Sequence, residues 1–139
     1  MNASGTTGTM DDEAYLNAYY HFHNSVAVLS EDAVTQCEAM NGFNVAWEIR
    51  DDISKNGYAL LNTSGERLSE EKKCKIKLLL KNVAAVPDVV VRVPNSSEAH
   101  LRAMRASCWL PIRVQAKELM SLLEPETNWV NSILFAKDS

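Results

Sequence analysis

The chain is poor in glycine and proline, with five and four in 139 residues, and aromatic residues make up only 7%. The punctuation expected of an all-β protein with many tight turns is missing, so the chain leans helical. No run approaches the roughly 18 apolar residues that span a bilayer. Residues 1–10, MNASGTTGTM, have neither the basic start nor the apolar stretch of a signal peptide. A cytoplasmic protein that meets no membrane is therefore expected. Cysteine is scarce as well: Cys37, Cys74 and Cys108 are odd in number and form no close pair. That points to buried free thiols and not to a disulfide framework. A phosphate-cradling Gly-rich loop and a nucleophile elbow are both missing, so the sequence predicts no cofactor and gives no enzyme signature.

What is present is the composition of one globular domain, with 46% hydrophobic and 23% charged residues. A chain of this size buries roughly two-thirds of its unfolded surface without metal or disulfides. The net charge of −4 conceals a split along the chain. Residues 1–66 carry a net charge of −8, residues 67–117 carry +7 and residues 118–139 carry −3. Such asymmetry serves either complementary surfaces within the fold or separate partners.

Apolar spacing predicts the elements. Residues 1–10 are small, polar and aperiodic and read as a disordered leader, with a single helical domain at 11–139. Tyr15, Ala18, Tyr19, Phe22, Val26 and Leu29 recur at three- and four-residue steps and predict a helix to Leu29. Ser30 is the expected cap of a second helix ending at Asn41-Gly42. Asn44 is expected to cap a third, with Phe43, Ala46, Trp47, Ile49 and Ile53 as its apolar stripe and Asn56-Gly57 as its end. Ser69 opens the best-defined helix, with Ile76, Leu79, Leu80 and Val83 on one face and Lys73, Lys77 and Lys81 on an adjacent strip. Asp88 to Val93 has the β-branched run of an extended segment between two prolines. Ser96 or Ser97 then caps a helix to about Ala106, Pro111 suits the first turn of the next, and Glu124-Pro125 breaks that one at about Leu123. The fold expected is mainly α, an irregular bundle of five to seven helices with one short extended segment. The alternative is an α+β arrangement in which residues 58–62 and 88–93 pair as a minor sheet.

Four groups of residues are candidates for function. Glu31, Asp32, Glu38, Glu48, Asp51 and Asp52 lie on the outward sides of consecutive predicted helices and would steer a basic protein partner. Trp129, Val130, Ile133 and Leu134 form a C-terminal apolar stripe suited to self-association as a homodimer. Lys73, Lys77 and Lys81 would contact phosphates if the chain met nucleic acid. That reading ranks lower, because the overall charge is negative and no aromatic alternates with the lysines. Tyr19, His21 and His23 could support acid–base chemistry around a pocket. Two histidines two residues apart on a helix diverge by about 200°, so they do not chelate one ion. The leading expectation is a small protein-binding module that masks, inhibits or adapts a partner, of the kind represented by bacterial immunity proteins, antitoxins and regulatory adaptors.

Overall fold

Helix starts are set where a short polar side chain can accept from an otherwise unsatisfied backbone N–H. In the computed structural model Asp32 accepts from Thr35 N, Ser69 from Lys72 N and Ser96 from Ala99 N. The structure describes the backbone of residues 2–136 and the side chains of residues 12–136. The side chains of the expected leader at 1–10 lie outside the described residues. Among the described residues eight helices follow in order, one more than the upper number expected: α1 (Asn2–Leu29), α2 (Ala33–Ala39), α3 (Val45–Ser64), α4 (Glu70–Ala84), α5 (Asp88–Val91), α6 (Ser97–Met104), α7 (Trp109–Leu122) and α8 (Glu124–Leu134). The mainly α bundle is as expected, and the described residues contain no strand.

Long α1 is the spine, contacting α3, α7 and α8 along its length, while α4 bridges α3 and α7 and α2 rests on α6. The buried face of α1 is the one its spacing predicts: Tyr15, Tyr19, Phe22, Val26 and Leu29 are all 2% exposed or less. Ile53 and Leu60 of α3, Ile76 and Leu79 of α4, and Trp109 of α7 complete one continuous core. Removing that much apolar surface from water is the main stabilising term.

Several local expectations are corrected. The second helix is capped by Asp32 and not by Ser30, whose hydroxyl instead donates to the Ala27 carbonyl at 2.7 Å. Asn44 stands at the start of α3 but makes no side-chain cap; it adopts φ +45°, and with Asn41 at +57° and Gly42 at +64° it turns the chain between α2 and α3. Gly57 does not end α3, which continues through the 58–62 segment to Ser64. A Cβ built at Gly57 would stand 2.4 Å from Leu80 Cδ2, so Leu80 of α4 packs directly on this glycine of α3.

The extended segment expected at Asp88–Val93 is a single helical turn, Asp88–Val91. With residues 58–62 inside α3 there is no partner strand, and β-branched residues favour strands only when a neighbouring strand packs against them. Local bonds satisfy the backbone instead, from Val90 N to Pro87 O at 2.9 Å and from Arg92 N to Asp88 O at 2.8 Å. Cys74 is exposed, and Cys37 and Cys108 are half-buried, so the thiols are free but not all in the core. No helix of the described residues is long and apolar enough to cross a membrane.

Candidate functional site

The left-handed turn at Asn41, Gly42 and Asn44 decides which side chains the α2–α3 corner presents. It starts α3 at Val45, so that Val45, Ala46, Ile49, Ile53 and Leu60 face the core. Phe43 precedes the helix and Trp47 falls off that face, leaving the two 54% and 42% exposed. Both were expected in the apolar stripe. Val34 of α2 is 45% exposed beside them in sequence.

The six carboxylates sit on the same elements. Glu31, Asp32 and Glu38 are exposed, while Glu48, Asp51 and Asp52 are half-buried. Asp32 caps α2, and the Thr35 backbone N–H holds its carboxyl below the usual range. Asp51 pairs with Lys55 at 3.0 Å. Arg50, the one base between residues 31 and 52, is occupied elsewhere: it meets Asp88 at 3.2 Å and donates to the Val86 carbonyl at 3.4 Å. The corner therefore combines exposed aromatic surface with carboxylates of which Asp51 is paired with Lys55 and Asp32 faces Arg113.

Beside the corner, α1 and α3 enclose an open groove of about 320 Å³. Val28, Met40 and Ile49 supply its apolar part, and His21, Asn24, Ser25, Asp52 and Asn56 its polar part. Asn56 Nδ2 donates to Ser25 Oγ at 2.7 Å and to the His21 carbonyl at 3.4 Å, fastening α3 to α1. Burial, reinforced by the neighbouring Asp51 charge, pushes the Asp52 carboxyl up from its ordinary range. Two residues singled out for different reasons, His21 and Asp52, thus line one groove. Asn24 and Asn56 were missed, although His21, Asn24, Ser25 and Val28 already follow three- and four-residue spacing in the sequence.

The Tyr19, His21 and His23 cluster does not converge on a pocket. The Tyr19 hydroxyl donates to the Leu123 carbonyl at 3.1 Å and bonds Thr127 Oγ1 at 2.6 Å, and His23 stacks on the Tyr19 ring at 6.3 Å. Only His21 of the three lines the groove. Ser25 Oγ is engaged by Asn56 and not by the His21 imidazole, so no nucleophile–base pair forms there. Among the described residues no group of His, Cys, Asp and Glu is placed to hold a metal ion.

The lysine strip is partly used internally. Lys73 meets Glu70 at 3.5 Å, and the adjacent Lys72 pairs with Glu126 of α8 at 2.6 Å, while Lys77 and Lys81 are exposed. The C-terminal stripe divides too. Val130 is 1% exposed within the core and Leu134 is half-buried against it, whereas Trp129 and Ile133 remain 44% and 48% exposed. The Trp129 ring lies 6.2 Å from that of Tyr15, which helps seat α8 on α1. No family model, no curated protein and no solved structure matches this chain.

Proposed function

We propose that this protein is a binding module that engages a basic protein partner at the α2–α3 corner and so masks, inhibits or adapts it. The observation that carries this reading is the presence of Phe43 and Trp47, half or nearly half exposed, between carboxylates on both sides in sequence. Aromatic side chains are the residues that most often anchor protein interfaces. Surrounding charge of one sign selects a partner of the other sign and raises the association rate. Exposed aromatic residues contribute little to the folded monomer and much to a complex that covers them.

The test is capture from the source organism followed by cross-linking. The reading expects a basic protein cross-linked near residues 34–52, lost from Phe43→Ala and Trp47→Ala, with association slowed at high salt. Capture that survives both substitutions and is indifferent to salt overturns it. The exposed Trp129 and Ile133 support a second element of the proposal, a homodimer formed along α8.

A further inference from the structure

The groove beside the corner carries one acceptor-only side chain, Asp52. Asp52 takes no hydrogen bond and no ion pair among the described residues, although it is half-buried. The nearest ammonium in sequence, Lys55, is bonded to Asp51 at 3.0 Å and acts on Asp52 only through space, and Arg50 is held by Asp88. Asn56 spends its Nδ2 on Ser25 and on the His21 carbonyl, which leaves its Oδ1 open at the groove. A carboxylate taken partly out of water without a bonded counter-ion gains more from a cation than an exposed one does.

We propose that this groove receives the guanidinium of an arginine side chain of the partner, with Asp52 and the Asn56 carbonyl as acceptors and Val28, Met40 and Ile49 against its alkyl stem. The inference rests on the reading of the corner as a protein-binding face, and it specifies what chemistry that partner must bring. Guanidinium suits the site better than ammonium for two reasons. It is the more weakly hydrated cation, so it loses less on entering a groove with apolar walls, and its planar fork offers several donors to acceptors that arrive from different directions. The groove shares Asp52 with the corner, and Met40 stands at the end of α2, so one extended segment can meet both places.

The decisive experiment uses defined probes and needs no partner. Titration of N-acetyl-arginine methylamide, followed by NMR, is expected to shift the side-chain amides of Asn24 and Asn56 saturably, with roughly millimolar affinity for a single side chain. The neutral isostere N-acetyl-citrulline methylamide is expected to cause no saturable shift, and N-acetyl-lysine methylamide to bind more weakly. Asp52→Asn should weaken the arginine probe by about tenfold. Glu71→Gln, which removes an exposed carboxylate of α4 outside the groove, should change it by less than about twofold. No saturation by the arginine probe, equal binding of the citrulline or lysine probe, or an equal effect of the two substitutions overturns the inference. Should Asp52→Asn not fold, the comparison of the three probes on the unaltered protein still decides. Trp47→Ala separates this inference from the reading it rests on: it should abolish partner capture while leaving the arginine probe bound. Probe binding with no partner therefore refutes only the corner, and a partner captured without probe binding refutes only the groove.

Discussion

Gln36 and Arg113, 77 residues apart in sequence, meet in the interior: Arg113 Nη2 donates to Gln36 Oε1 at 2.8 Å. Gln36 is fully buried, and its Nε2 donates to the Leu29 carbonyl at the end of α1 at 2.9 Å. The same Arg113 nitrogen donates to the Met104 carbonyl at the end of α6. One polar pair thus ties the ends of α1 and α6 to α2 and α7. An unpartnered buried polar group costs stability, so the Gln36 amide, the Arg113 guanidinium and the two carbonyls depend on one another.

Gln36→Leu should therefore cost about 1–3 kcal/mol, because it leaves the Leu29 carbonyl without its donor and takes one of two acceptors from a half-buried guanidinium. Adding Arg113→Met should cost less than the sum of the two single substitutions, by about 1 kcal/mol or more. Urea denaturation of the four proteins checks this, and strict additivity would contradict the coupling.

At Gly57 two effects oppose each other. Alanine gains about 1 kcal/mol of helix propensity over glycine. Its Cβ would meet Leu80 Cδ2 at 2.4 Å, however, and Leu80 is 3% exposed, so the core must shift at a cost of about 1–3 kcal/mol. Gly57→Ala is expected to destabilise the native protein and to be neutral or stabilising beside Leu80→Ala. Thermal unfolding of both pairs reads the difference.

Alkaline pH should weaken the fold through α1. Burial pushes the Tyr19 hydroxyl up to about 12, and burial raises Tyr15 as well. A group whose folded pKa lies above its unfolded value near 10 keeps its proton in the folded state while the unfolded chain loses it. Stability is then fully present below pH 10 and falls as pH rises from there toward 12, by up to about 1.4 kcal/mol per pH unit for each tyrosine. Tyr15→Phe with Tyr19→Phe should flatten that limb in denaturation measured from pH 8 to 12. At neutral pH Tyr19→Phe should also cost about 1 kcal/mol, for loss of the bonds to Leu123 and Thr127.

The two halves of the C-terminal stripe should behave differently. Val130→Ala removes core volume and is expected to cost about 1–3 kcal/mol. Ile133→Ser, at an exposed position, should change stability by less than about 0.5 kcal/mol yet lower the mass seen by light scattering if α8 pairs with a second copy. Light scattering that shows a monomer at micromolar concentration for both the unaltered protein and Ile133→Ser sets the homodimer aside.

Sequence by itself determined the elements that rest on local physics. The α1 stripe from Tyr15 to Leu29, the α4 face of Ile76, Leu79, Leu80 and Val83, and the caps at Ser69 and Ser96 all depend on side chains within a turn or two of each other. The charge split and the scarcity of glycine were equally plain, and they fixed the helical class and the acidic character of the corner. Tertiary structure alone decided the rest, because it depended on what each segment meets. Asn56-Gly57 has the composition of a helix end, yet the helix continues through it, and the close approach of Leu80 is the reason the position holds a glycine. The valines from 89 to 91 would serve a strand, but with residues 58–62 inside α3 no strand stands beside them. Phe43 and Trp47 share the hydrophobicity of Ile49 and Ile53, and the left-handed turn at Asn44 leaves them at the surface. His21 and Asp52 lie 31 positions apart, so no local spacing could bring them to one groove; the packing of α3 along α1 does.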